Sequence, residues 1–141
     1  MIDREALIYI AGQIDSGSYI GIQELRRDKY LVVLRLRRSS PEVIELIRKV
    51  FSGGYYGMKD GKCWISYQGK QAATVLRGVY EFLTVKKGHA EIVFELRRSV
   101  ENHKLVHPNA GLTQAEREFR DDCKRRIQAL NGKEGESINI F

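Results

Sequence analysis

Proline is scarce in this chain, two residues in 141, at Pro41 and Pro108. So little proline excludes a polyproline or collagen-like chain and leaves long stretches free to form hydrogen-bonded elements. Cysteine is as scarce, and Cys63 and Cys123 lie far apart with no CxxC spacing. That excludes a disulfide scaffold and a cysteine-based zinc motif. It suits reduced thiols in an intracellular protein, cytoplasmic or organellar and not secreted. No apolar run is long enough to span a bilayer, and the N-terminus lacks the pattern of a signal peptide, so no membrane partner is expected. A P-loop, a dinucleotide fingerprint and a nucleophilic triad are missing as well.

What is present is a sequence 43% hydrophobic, enough for one domain with a real core. The formal net charge is +6, and it is unevenly spread. Residues 1–100 hold 17 of the 24 Lys/Arg and 11 of the 18 Asp/Glu, while residues 101–141 hold 7 of each. The whole excess therefore sits on the first hundred residues, which suits a phosphate-facing surface there and a neutral, packed tail.

Periodicity divides the chain. Residues 4–14 read as a helix with Ala6, Leu7, Ile10, Ala11 and Ile14 at helical spacing. Residues 19–26 and 29–37 alternate around a turn at Asp28 and read as a hairpin. Ser39, Ser40 and Pro41 open a helix over 41–51, with Glu42 and Glu45 near its positive end, and Ser52-Gly53-Gly54 stops it. Residues 55–59 and 62–67 flank Asp60-Gly61, the strongest hairpin signal in the chain. Helices are predicted over 70–83 and 86–100, then a polar connection over 101–111. His103 and His107 stand four apart in it, but Pro108 argues against a helix there and so against a zinc pair. Thr113 and Glu116 have capping-box spacing and begin a last helix to about Leu130, stopped by Asn131-Gly132. The order is α+β, with a four-stranded antiparallel sheet and helices on one face. The divisions expected are a domain over 1–100, a helical extension over 101–131 and a frayed tail over 132–141.

The first helix carries the most specific signal. Ile10-Ala11-Gly12-Gln13-Ile14-Asp15-Ser16-Gly17-Ser18 resembles the nine-residue LAGLIDADG motif of homing endonucleases. The order and spacing of further stretches follow that family: the strand pair after the motif, the Ser-Pro-Glu helix start, Gly53-Gly54-Tyr55, Trp64-Ile65-Ser66, and residues 82–91. The resemblance covers nearly all of residues 4–131 and implies an αββαββα core with a saddle-shaped four-stranded sheet, plus a C-terminal helix. One copy of the motif is present. In the family, single-motif chains pair as homodimers through the motif helix, so the resemblance places Ile10, Ala11, Gly12 and Ile14 at a dimer interface.

The resemblance also implies a partner and a chemistry. The concave sheet face would bind double-stranded DNA, and alternation puts Tyr19, Gln23, Arg35, Arg37, Tyr55 and Lys59 outward on it. Arg and Lys pair with guanine, Gln with adenine, and Tyr reaches phosphate. Arg35, Arg37 and Lys59 have no outward acid on the same three strands, whereas an ordinary solvated face mixes signs. In the fourth strand Trp64 and Ile65 compete for the core. The family's activity is Mg²⁺-dependent phosphodiester hydrolysis, with one motif carboxylate per chain, a basic residue and a polar water-positioning residue. Here the carboxylate position is Gly17, the basic position is Lys86, and the polar position is Arg38. Asp15 is the acid left nearest the site and the one candidate metal ligand, against a plainer hydrogen-bonding role at the helix end. The implied function is sequence-specific DNA binding by a homodimeric homing endonuclease or a catalytically impaired relative. The alternative is a non-catalytic nucleic-acid-binding derivative, an intron maturase or regulator, for which RNA is a further partner.

Overall fold

Short polar side chains cap the first two helices, and glycines in the left-handed region stand where the second helix gives way to the third strand, in the turn between the third and fourth strands and at the start of the third helix. In the computed structural model, which describes residues 3–26 and 29–135, α1 spans Arg4–Gly17 and is capped by Asp3, whose carboxylate accepts the Glu5 N–H at 3.1 Å. Strands β1 (Ser18–Arg26) and β2 (Lys29–Ser39) form the first hairpin; its expected turn at Asp28 lies outside the described residues. Helix α2 (Pro41–Val50) opens with Pro41 behind Ser40, whose Oγ accepts the Val43 N–H at 3.3 Å. Strands β3 (Tyr55–Lys59) and β4 (Lys62–Gln68) meet at Asp60 (φ 55°) and Gly61 (φ 76°), left-handed at both central turn positions as a type I′ hairpin requires. Helices α3 (Gly69–Val79), α4 (Lys87–Val106) and α5 (Gln114–Gly135) complete the order.

The sheet is antiparallel with strand order β1-β2-β4-β3. Its inner face and the apolar stripes of the helices make one core, in which Ile10, Ile14, Ile20, Leu34, Ile65, Tyr67, Leu76, Leu96 and Ile127 have no exposed surface. Tyr67 brings a hydroxyl into that core and donates it to the Phe51 carbonyl at 2.7 Å; burial pushes its pKa up to about 12. The sheet is thus covered on one side and open on the other, the α+β architecture read from the sequence. Among the described residues no helix is long and apolar enough to cross a membrane.

Three boundaries differ from the sequence reading. The helix expected over 70–83 ends at Val79 and tightens into a 3-10 turn over Tyr80–Phe82. The polar connection expected from 101 is helical to Val106, so the division at residue 100 falls inside α4. Residues 101–106 contain no glycine or proline and continue the helix by their own backbone, with only His103 partly covered. His107 caps α4 through its N–H to the His103 carbonyl at 2.7 Å, and Pro108 follows.

The Thr113–Glu116 capping box is present in both directions, Glu116 N–H to Thr113 Oγ1 at 3.1 Å and Thr113 N–H to Glu116 Oε1 at 3.0 Å. Glu116 also meets His103 Nδ1 at 2.6 Å, and the Thr113 and His103 bonds hold its carboxyl below the usual range. Asn131-Gly132 does not stop α5, which runs to Gly135. The reason lies in the side chain: Asn131 donates to the Ile20 carbonyl at 2.9 Å and meets His89 Nε2 at 2.9 Å. Asn131 is a clamp between α5, β1 and α4 rather than a terminator. Residues 136–141, most of the expected frayed tail, lie outside the described residues.

Candidate nucleic-acid interface and catalytic positions

Pairing sorts the open sheet face into rows, because residues directly opposite in antiparallel strands share a face. One row runs across all four strands: Tyr19, Arg35, Ser66 and Tyr55. The next toward the β3–β4 turn holds Gly57 and Trp64, with Arg37 two residues beyond Arg35 on β2, and the last holds Lys59 and Lys62. Arg35, Arg37, Lys59, Lys62, Cys63 and Trp64 line a concavity of about 440 Å³. Four of these six are cationic and none is a carboxylate. Cys63 belongs by its side chain to the core, so Trp64 supplies the one apolar side chain lining this groove.

Of the six expected contact residues, Arg35, Arg37 and Lys59 therefore come together. Tyr19 and Tyr55 flank them in the adjoining row, and Gln23 stands two rows away from Tyr19 along β1. Lys62 and Trp64 were missed. Strand β4 reads Cys63-Trp64-Ile65 as an unbroken apolar run, so alternation cannot orient it from sequence. The structure sends Cys63, Ile65 and Tyr67 inward and Lys62, Trp64 and Ser66 to the open face. Position 57 gave a usable signal, a glycine at a strand position whose backbone does not need one. A Cβ there would lie 2.9–3.0 Å from the Trp64 ring, so the indole rests on Gly57. The Tyr19 ring covers Gly21 in the same way. Two aromatic plates thus lie on the sheet, each over a glycine. Val33, two residues before Arg35 on the same face, is 1% exposed and outside the main core cluster.

Helix α1 turns three of the four expected interface residues inward. Ile10, Ala11 and Ile14 have no exposed surface and pack into the core of this chain. Only Gly12 of the four faces outward, and no atom lies within 4 Å of where its Cβ would be. The outer stripe is Glu5, Ile8, Tyr9, Gly12 and Ser16, with Ile8 44% and Tyr9 48% exposed. Residues 6–12 are apolar around the whole helix, so the 3.6-residue period alone cannot say which side turns inward.

At the end of α1, Gly17 is exposed with open space around it. Asp15 points its carboxylate at the chain entering α4 instead: Oδ2 accepts the Thr84 N–H and Oδ1 the Lys86 N–H, each at 2.8 Å. Lys86 is 4% exposed and stands at the α4 N-cap, where no side chain of its own caps the helix. Asp15 is therefore a cap supplied from another helix, the plainer of its two sequence readings. The side chain of Arg38 lies outside the described residues.

A hard divalent ion needs several oxygen donors converging on one point. Among the described residues no three His, Cys, Asp or Glu side chains gather that way, and both Asp15 oxygens already serve backbone N–H groups. The described donors of one chain do not fit a Mg²⁺ site.

No family model matches the sequence, and no curated protein does. Solved structures do match in fold. The homing endonuclease I-CvuI, crystallised with the I-CreI target in 2 mM Mg with its DNA not cleaved, aligns with a TM-score of 0.63 at 18% identity, over 89% of this chain and 96% of that one. The archaeal intron-encoded homing endonuclease I-Vdi141I, complexed with DNA, aligns with a TM-score of 0.67 at 17% identity, over 88% and 82%. The homing endonuclease I-TnaI aligns with a TM-score of 0.53 at 15% identity, over 83% and 97%. With one motif helix, a four-stranded sheet open on one side and helices packed on the other, the chain has the fold of the LAGLIDADG homing endonucleases.

Proposed function

We propose that this chain binds double-stranded DNA through the open face of its sheet, as a homodimer joined along α1, and that it cleaves poorly or not at all. The observation that carries the reading is the groove of Arg35, Arg37, Lys59 and Lys62 with no carboxylate among its lining residues. A two-stranded ribbon fits the major groove, where cationic side chains meet phosphates and guanine edges. The loss of cleavage rests on Gly17 at the motif's carboxylate position and on Asp15 being taken up by the α4 N-terminus. Those two features favour, as the second reading, a derivative that keeps the nucleic-acid surface without catalysis, such as a maturase or regulator. Competition between duplex DNA and structured RNA separates the two.

Salt dependence tests the binding surface. Arg35→Ala with Arg37→Ala is expected to weaken duplex binding and to flatten the slope of log affinity against log salt by about one to two units per protomer. An unchanged slope means the face is only solvated.

Gly12→Leu tests the dimer cleanly, because within one protomer the position is empty. Replacing a helical glycine gains about 0.5–1 kcal/mol for the isolated fold. Overpacking where two helices meet costs about 1–3 kcal/mol. Sedimentation is expected to show the dimer weakened while thermal stability of the monomer holds or rises. A wild type that stays monomeric at high micromolar concentration removes the dimer from the proposal.

A further inference from the structure

The apolar plate at the centre of the cationic groove calls for a ligand group of its own kind. Trp64 is half-buried, seated on Gly57, and bordered by Arg37, Lys59 and Lys62. Ser66 Oγ in the adjoining row is buried with no hydrogen-bond partner among the described residues. The cations around the plate satisfy phosphates and the acceptor atoms of guanine. An indole face satisfies neither. In the major groove the one apolar group on a base edge is the 5-methyl of thymine, shared by methylated cytosine.

We propose that Trp64 is a specificity-determining residue that reads the 5-methyl group of one thymine per protomer, and that Gly57 is there to seat it. The inference rests on the DNA-binding reading above and narrows it to a base and an atom. The glycine supports it independently. Its φ is not in the left-handed region, so its backbone does not require glycine. A glycine inside a strand weakens it. What the position does require is the absence of a Cβ, since any side chain would push the indole up from the sheet.

The test uses full-length protein and a duplex recovered by selection from a random pool. Each thymine is replaced in turn by deoxyuracil, which deletes only the methyl. For wild type, one thymine per half-site is expected to lose about fourfold in affinity, the worth of burying one methyl group. For Trp64→Ala that position is expected to show no difference between thymine and uracil, and Gly57→Ala, which leaves the tryptophan in place but unseated, behaves likewise. Replacing that thymine by cytosine weakens wild-type binding, and 5-methylcytosine recovers part of the loss. Circular dichroism of both variants confirms that the sheet is intact. If wild type binds the duplex but no thymine-to-uracil penalty disappears in either variant, the inference is overturned while DNA binding stands. If no duplex is recovered from the pool, both fall together.

Discussion

Asp15→Ala is expected to cost about 2–4 kcal/mol of folding free energy, a large loss for one exposed-to-intermediate polar residue. The carboxylate accepts two backbone N–H groups at 2.8 Å, from Thr84 and Lys86, at the entrance to α4. Helix α4 has no side-chain cap of its own, so alanine leaves the part-buried Lys86 N–H unmet, hands the exposed Thr84 N–H to water and removes a negative charge from the positive end of a 20-residue helix. Hydrogen bonds to a charged acceptor are worth about 1.5–3 kcal/mol each, and the two are not fully additive. Asp15→Asn keeps one good acceptor and is expected to lose roughly half as much. Urea denaturation reads both values. A change below about 0.5 kcal/mol for alanine would show that the chain entering α4 finds other partners, and would reopen Asp15 as a metal ligand.

The largest change in activity is expected from Gly17→Asp. Wild-type protein is expected to hold its selected duplex intact in Mg²⁺, and the variant to nick it at roughly ten times that background or more, because a held ion is what activates water at phosphate. The substitution brings no strain: Gly17 is the last residue of α1, exposed, with nothing within 4 Å of its Cβ position and without a left-handed φ. The resemblance assigns Lys86 the family's basic position, and Arg38→Gln added to the variant tests whether the arginine limits the gain. EDTA must abolish the new nicking. Equal cleavage by wild type and variant would mean that position 17 is not where activity was lost.

Elements with a local chemical signature were legible in the sequence. Ser40-Pro41, Asp60-Gly61 and the Thr113–Glu116 box each fix backbone geometry within four residues, and all three stand where they were expected. Burial was legible where apolar and polar residues alternate, as at Ile20 and Ile22 or Leu34 and Leu36. It failed where everything is apolar. The Cys63-Trp64-Ile65 run hid half of the cationic groove, and the all-apolar start of α1 hid which side of the helix is free. A hydrogen-bonding role for Asp15 was one of its two readings, but which groups it meets was illegible for a different reason. Its partners are 69 and 71 residues away, and no local pattern announces a cap supplied by another helix.

The Asn131 clamp has a consequence for how the protein is made. The β3–β4 hairpin closes through the tight turn at Asp60-Gly61, and β1 pairs with the strand that follows it, so both strand pairs can form as soon as they leave the ribosome. The carbonyl of Ile20, in β1, accepts its hydrogen bond from a residue 111 positions later. At about 5–20 residues per second, β1 waits roughly 6–20 s for that partner. Throughout this interval the flank of β1 that α5 later covers stands uncapped, the condition in which strand edges pair with the wrong chain. The β1 flank is therefore open to wrong pairing between the forming of the sheet and the docking of α5.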